Sequence, residues 1–131
     1  MINLLETQKI KNEIEANPEE VLNTIEKTKI GICITDSQGN YAAVNDSYCR
    51  IYEYSKAELT GKSFLIVVPG EFHESMQVLH RKFLRDKREI AREWTVLTKS
   101  QKPVKISVDA AYSDKIFNKG PHKITFVQPE S

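Results

Sequence analysis

The stretch IGICITDSQGNYAAVND, Ile30 to Asp46, leaves few ways to fold. Ile30, Ile32 and Ile34 alternate with Gly31, Cys33 and Thr35, the period-two pattern of a strand. Asp36-Ser37-Gln38-Gly39 has Asp at the first and Gly at the fourth turn position. That is the preference of a type I turn whose Gly takes a positive φ and enters a bulged hairpin. Tyr41 to Val44 returns as the second strand. Asn45 or Asp46 then caps a short helix, because a short side-chain oxygen accepts from the free N–H groups of the first turn. On that helix Tyr48, Ile51 and Tyr52 fall at i, i+3 and i+4 and face inward together.

The chain continues with helices. Ser55 followed by Glu58 is a capping box, and Gly61 stops the helix it starts. An apolar run from Phe64 to Val68 ends at Pro69-Gly70. A longer helix is expected over about Glu71 to Lys87, with Phe72, Met76, Leu79 and Phe83 in one stripe and Arg81, Lys82, Arg85 and Lys87 toward its C-terminal end, where they suit the helix dipole. The period then changes. Glu93 to Thr98 is a strand, Val104, Ile106, Val108 and Ala110 alternate with polar residues in another, Ser113 to Gly120 is a polar loop, and His122 to Val127 is a last strand. Pro103 and Pro121 stand at strand starts, where a missing N–H is tolerated. Three consecutive strands with short links pair antiparallel. The helices are grouped between hairpin and strands, so they cover one face of one sheet, an α+β layer architecture with a space between sheet and helices.

Residues 1–28 contain no glycine and no aromatic residue and predict helix, broken near Asn17-Pro18. There Asn17 is expected to cap, Pro18 to take the first helical position and Glu20 to complete a capping box. Ile10, Ile14, Val21, Leu22 and Ile25 form an apolar face that must lie on this domain's sheet or on a second copy. The expected organisation is a helical extension, 1–28, for dimerisation or signalling, followed by one domain, 29–131.

Composition excludes several classes. A chain of 131 residues with 40% hydrophobic and 28% charged residues suits one globular domain. A net charge of +1 provides no field that selects nucleic acid or an anionic membrane. No apolar window is long enough to span a bilayer, and no basic-then-apolar leader is present. Cys33 and Cys49 have no CxxC spacing, so reduced thiols and a cytoplasmic location are expected. Three scattered His give no metal-ligand spacing, and Asp109 lacks a paired carboxylate or an oxyanion donor, so neither metal hydrolysis nor acid–base catalysis is expected. No Gly-rich nucleotide motif occurs.

In combination, GICITDSQGNYAAVNDSY, YEYSKAELTGKSF, the Pro69-Gly70 helix and three closing strands resemble a PAS domain from about Ile30 to Gln128. One departure is the turn before the fourth strand, TKSQKPV, where many members have Asp-Gly. The resemblance implies a five-stranded antiparallel sheet of order 2-1-5-4-3 with helices on one face. It also implies a non-enzymatic sensory module of two-component type signalling. Such a module binds a small molecule or mediates homodimerisation, and acts on an effector domain or a separate signalling protein.

The expected pocket lining is Tyr48, Ile51, Tyr52, Phe64, Phe72, Met76, Leu79, Phe83, Trp94, Val96, Ile106 and Val108, residues that would equally make an ordinary core. Two alternatives stay open: a ligand-free dimerisation module, and a haem sensor with His73 favoured over His80 as ligand. Flavin photochemistry of the LOV type is not expected, because the GxNCRFLQ stretch is absent and Cys49 lies on the earlier helix.

Overall fold

The computed structural model describes residues 1–130. Its helices are α1 (Leu4–Ala16), α2 (Val21–Glu26), α3 (Asp46–Tyr52), α4 (Lys56–Leu59) and α5 (His73–Asp86). Its strands are β1 (Gly31–Thr35), β2 (Tyr41–Val44), β3 (Arg92–Leu97), β4 (Pro103–Ser113) and β5 (His122–Pro129). The five strands form one antiparallel sheet of order β2-β1-β5-β4-β3. The first hairpin is therefore closed against the last strand, and β5 lies between β1 and β4.

Both faces of this sheet are covered. On the inner face α3, α4 and α5 pack over Cys33, Val96, Ile106, Val108 and Val127. On the outer face Ile10 and Ile14 of α1 and Val21 and Ile25 of α2 pack over Ile32, Ile34, Ile124 and Phe126. The N-terminal helices thus lie on the sheet of their own chain, while Leu22, expected on the same apolar face, is left exposed. Ile116, in the loop expected to be polar, is fully buried and completes this outer core.

Local chemistry sets the corners. In the β1–β2 turn Asp36 Oδ1 accepts from the N–H groups of Gln38 and Asn40, each at 3.0 Å, and Gly39 has φ +83°. The register shifts between Ile34 and Thr35, the bulge that such a turn feeds. The β3–β4 turn repeats this pattern without glycine. Gln101 N–H donates to Thr98 O at 2.9 Å, just as Gly39 N–H donates to Asp36 O at 3.0 Å, and Gln101 takes φ +66°. Departure from Asp-Gly therefore leaves a tight turn with a non-glycine residue in the left-handed region.

Ser55 and Glu58 form the expected capping box. Asn17 and Glu20 do not. The Asn17 side chain makes no cap hydrogen bond, because a single 3-10 turn, Pro18–Glu20, separates α1 from α2, and Glu20 binds the Asn23 amide instead.

Asn45 is the joint between layers. Its Oδ1 accepts from Tyr48 N–H as the cap of α3 and from Ile32 N–H of β1, both at 2.9 Å. Its Nδ2 donates to Ile25 O at the end of α2 (2.6 Å) and to Ile30 O (3.0 Å). The residue is completely buried. Beside it, α3 approaches β1 closely enough that a Cβ on Gly31 would stand 2.7 Å from Val127 Cγ2 and 2.8 Å from Ile51 Cδ1.

On the outer face a polar clasp fixes α1. Asp109 Oδ2 of β4 accepts from Thr7 Oγ1 at 2.7 Å and pairs with Lys11 Nζ at 2.9 Å, while Ile2 N–H donates to Ser107 Oγ at 2.8 Å.

Three measurements test these contacts. Asn45→Ala strands several buried backbone partners, at about 1–3 kcal/mol for each group left unsatisfied. Urea unfolding should show a loss of at least about 4 kcal/mol with an unchanged m-value. Gln101→Gly relieves a left-handed conformation worth roughly 1–2 kcal/mol and adds about 0.5–1 kcal/mol of unfolded-state entropy. The expected result is a gain of about 0.5–1 kcal/mol. In Asp109→Ala, amide exchange over residues 4–16 should accelerate while β1 and β5 keep their protection.

Candidate functional site

A cavity of about 100 Å³ lies between the inner face of the sheet and the helical layer. Its floor comes from alternate residues of the central strands: Cys33 and Thr35 of β1, Lys123, Thr125 and Val127 of β5, Ile106 and Val108 of β4. Trp94 and Val96 of β3 close one side. Tyr48 and Tyr52 of α3 form the far wall, and Phe64, Val67, Val68, Met76, Leu79 and His80 form the roof.

Of the residues expected to line a pocket, the structure brings Tyr48, Tyr52, Phe64, Met76, Leu79, Trp94, Val96, Ile106 and Val108 together here. Three stand elsewhere. Phe72 is 43% exposed, because a 3-10 turn at Gly70–Phe72 precedes α5 and puts Phe72 out of phase with the helical stripe. Ile51 turns toward Gly31 and packs α3 on β1. Phe83 is buried but sits beyond the cavity, with its ring 4.7 Å from Lys123 Nζ.

The apolar pattern did not point to the polar side of the floor. In β1 and β5 the more apolar face is the outer one, Ile32, Ile34, Ile124 and Phe126, which α1 and α2 cover. The alternate set, Cys33, Thr35, Lys123 and Thr125, is less apolar and faces the cavity. The available signal was Lys123 and Thr125 sharing one face of a strand with Val127, at i, i+2 and i+4.

Burial and hydrogen bonds set the state of several polar groups at this site. Tyr41 and Tyr48 hydroxyls lie 2.6 Å apart, and the Tyr48 and Tyr52 rings stack at 4.2 Å. Burial holds all three phenols well above their usual range, so they remain neutral donors. Burial also pushes the Cys33 thiol up to about 11, which leaves it protonated and a poor nucleophile at neutral pH. His80 Nε2 lies 2.9 Å from the Asp36 carbonyl oxygen and donates to it. Burial, with Lys123 nearby, lowers the His80 pKa and favours the neutral ring. Lys123 Nζ pairs with Glu89 Oε1 at 3.0 Å, with side chains 14% and 11% exposed. Glu89 lies in the connector from α5 to β3 and also lines the cavity.

These residues do not fit a haem. His73 stands outside the lining, and its Nε2 lies 2.7 Å from Val68 O, to which it donates. His80 Nε2 is likewise engaged by a carbonyl. A space of about 100 Å³ is also below the roughly 300–1,000 Å³ of ordinary small-molecule pockets. Cys49 is half-buried on α3 and does not line the cavity. Among the described residues, no group of three or more His, Cys, Asp or Glu could hold a metal ion, and no helix is long and apolar enough to cross a membrane.

The PAS fold family matches residues 19–116, from the 3-10 turn before α2 into the loop before β5. No curated protein matches the sequence. Among solved structures, a PAS domain from Desulfitobacterium hafniense has a TM-score of 0.73 at 13% identity, covering 82% of this chain and 99% of its own. A domain of a sensory box sensor histidine kinase/response regulator from Geobacter sulfurreducens has a TM-score of 0.64 at 16% identity, covering 96% of each chain. The PAS domain of a LuxR-family transcriptional regulator from Burkholderia thailandensis, in complex with ethanol, has a TM-score of 0.65 at 14% identity, covering 82% of this chain and 95% of its own. The structural likeness is one of fold, and the family match extends over most of the sequence; the chain belongs to the PAS domain family.

Proposed function

We propose that this PAS domain is a sensory, non-catalytic module whose inner cavity takes a small molecule. Occupancy changes how the N-terminal segment, residues 1–28, packs on the core formed by residues 29–131. The carrying observation is the alternation along β4. Ile106 and Val108 line the cavity, while Ser107 and Asp109, their immediate neighbours, hold Ile2 and α1 from the other face. A ligand that shifts the inner side chains of β4 by a fraction of an ångström must also act on the clasp, because packed layers do not deform independently. Only a difference in ligand affinity between the clasped and released arrangements moves that equilibrium. The released segment then acts on a signalling partner, either an effector domain or a separate cytoplasmic protein.

A second reading is homodimerisation through the N-terminal layer. It is favoured by the apolar residues that layer leaves in solvent, Met1 at 78% and Leu5 at 86% exposure. A dimer on the sheet face itself would first require α1 to leave it.

Ethanol, which is small enough for the cavity, is the first probe. Titration followed by 1H–15N NMR should shift the amides of Cys33, Val108 and Thr125, and hydrogen exchange of residues 4–16 should change at saturation. Val108→Phe, which fills the space, should abolish both effects. Unchanged cavity amides up to the highest usable ethanol concentration would count against the reading. Light scattering of the wild type and of Leu5→Glu reports separately on the dimer, which the substitution should dissociate.

A further inference from the structure

The geometry points to a short monocarboxylate as the cavity's ligand, its carboxylate displacing that of Glu89 from Lys123. This rests on the sensory reading above and adds the chemistry of the occupant.

The two members of the Lys123–Glu89 pair are held very differently. Lys123 is in the middle of the sheet, with Thr35 of β1 on one side and Tyr112 of β4 on the other. Its backbone is fixed by both ladders, and Phe83 packs beneath its ammonium. Glu89 is in a connector that belongs to neither α5 nor β3, and its neighbour Ile90 is 80% exposed. The carboxylate is therefore the partner that can leave.

Glu89 also stands at a boundary. It lines the inner cavity and, on its other side, a surface depression where three cations, Lys82, Arg88 and Arg92, outnumber the one further carboxylate, Asp86. A displaced Glu89 carboxylate has these cations to meet, and the same cations attract an incoming anion. Glu89 is the only acidic residue in the cavity lining among the described residues, and burial favours the neutral His80 ring, which donates to the Asp36 carbonyl, so the fixed positive charge of the site is the Lys123 ammonium. Exchanging one carboxylate for another leaves the net charge of the site unchanged. It avoids the heavy penalty of leaving a buried charge without a partner. A cationic ligand would have to displace Lys123, which the sheet holds.

Size and wall chemistry complete the specification. An apolar cavity of about 150 Å³ takes benzene, so about 100 Å³ admits about four non-hydrogen atoms, and the place left by the Glu89 carboxylate adds room for about one more. Away from Lys123 the lining turns apolar, with Ile106 and Val108 further along the floor and Met76 and Leu79 in the roof. The occupant is a carboxylate with a short aliphatic tail, of the size of propionate.

Propionate and its neutral isostere propionamide separate charge from shape. In 1H–15N NMR titrations of the intact chain, propionate should shift Lys123, Thr125 and Val108 amides and bind at least tenfold more tightly than propionamide. Glu89→Gln removes the competing carboxylate and should raise propionate affinity severalfold, with propionamide changed less than twofold. The double variant K123M/E89Q removes both charges and leaves neither stranded. It should bind the two compounds equally. Equal binding in the wild type, or a propionate preference that survives in K123M/E89Q, overturns the proposal. Ethanol shifts at the cavity amides without any propionate preference overturn the anion assignment alone. Silence of propionate, propionamide and ethanol overturns the cavity reading with it.

Discussion

One buried amide joins the layers of this domain. Asn45 caps α3 and reaches β1 with its oxygen, and holds the carbonyls of Ile25 and Ile30 with its nitrogen. Its oxygen and its nitrogen each serve two backbone groups that have no water to turn to. A buried polar group so fully satisfied specifies a unique arrangement, since any slip leaves several groups unpaired at once. The consequence is geometric. The end of α2, the start of β1 and the start of α3 meet at one point, which sets where α3 crosses the sheet. Gly31 then lets α3 close on β1, and the Tyr48 and Tyr52 rings arrive at the cavity wall.

The sheet that Asn45 anchors serves two cores. Its outer face carries the isoleucines and is sealed by α1 and α2. Its inner face is mixed, with Cys33, Thr35, Thr125 and Lys123 among valines and isoleucines. This asymmetry is what leaves a small polar-edged space rather than a filled interior. It also makes β4 a shared wall, with alternate residues serving the cavity and the α1 clasp. A strand has only two faces, so an event on one is one peptide away from the other.

Features that depend on near neighbours along the chain were legible in the sequence. The Asp36–Gly39 turn, the Ser55–Glu58 box and the Asn45 cap each need partners within a few residues, and each forms. The sheet order followed from the resemblance to a family pattern, and the observed pairing agrees. Local patterns also misled. Asn17 and Glu20 have the spacing of a capping box, but the chain there makes one 3-10 turn and the box does not close. Phe72 has the spacing of the α5 stripe, but α5 begins after it. In both cases the side-chain pattern continues through a point where the backbone changes pitch, which periodicity does not detect.

The amino-acid sequence by itself determined which segments are strands and helices, where the tight turns fall and that an apolar N-terminal face needed a sheet. These follow from short-range sterics and from the period of apolar residues. Only the tertiary structure decided that this face lies on its own sheet, and that Asn45 satisfies α2 and β1 as well as α3. It alone placed Lys123, Glu89 and His80 around one cavity. Those groups come from a strand, a connector and a helix, and no local preference records which faces of different elements come to face each other.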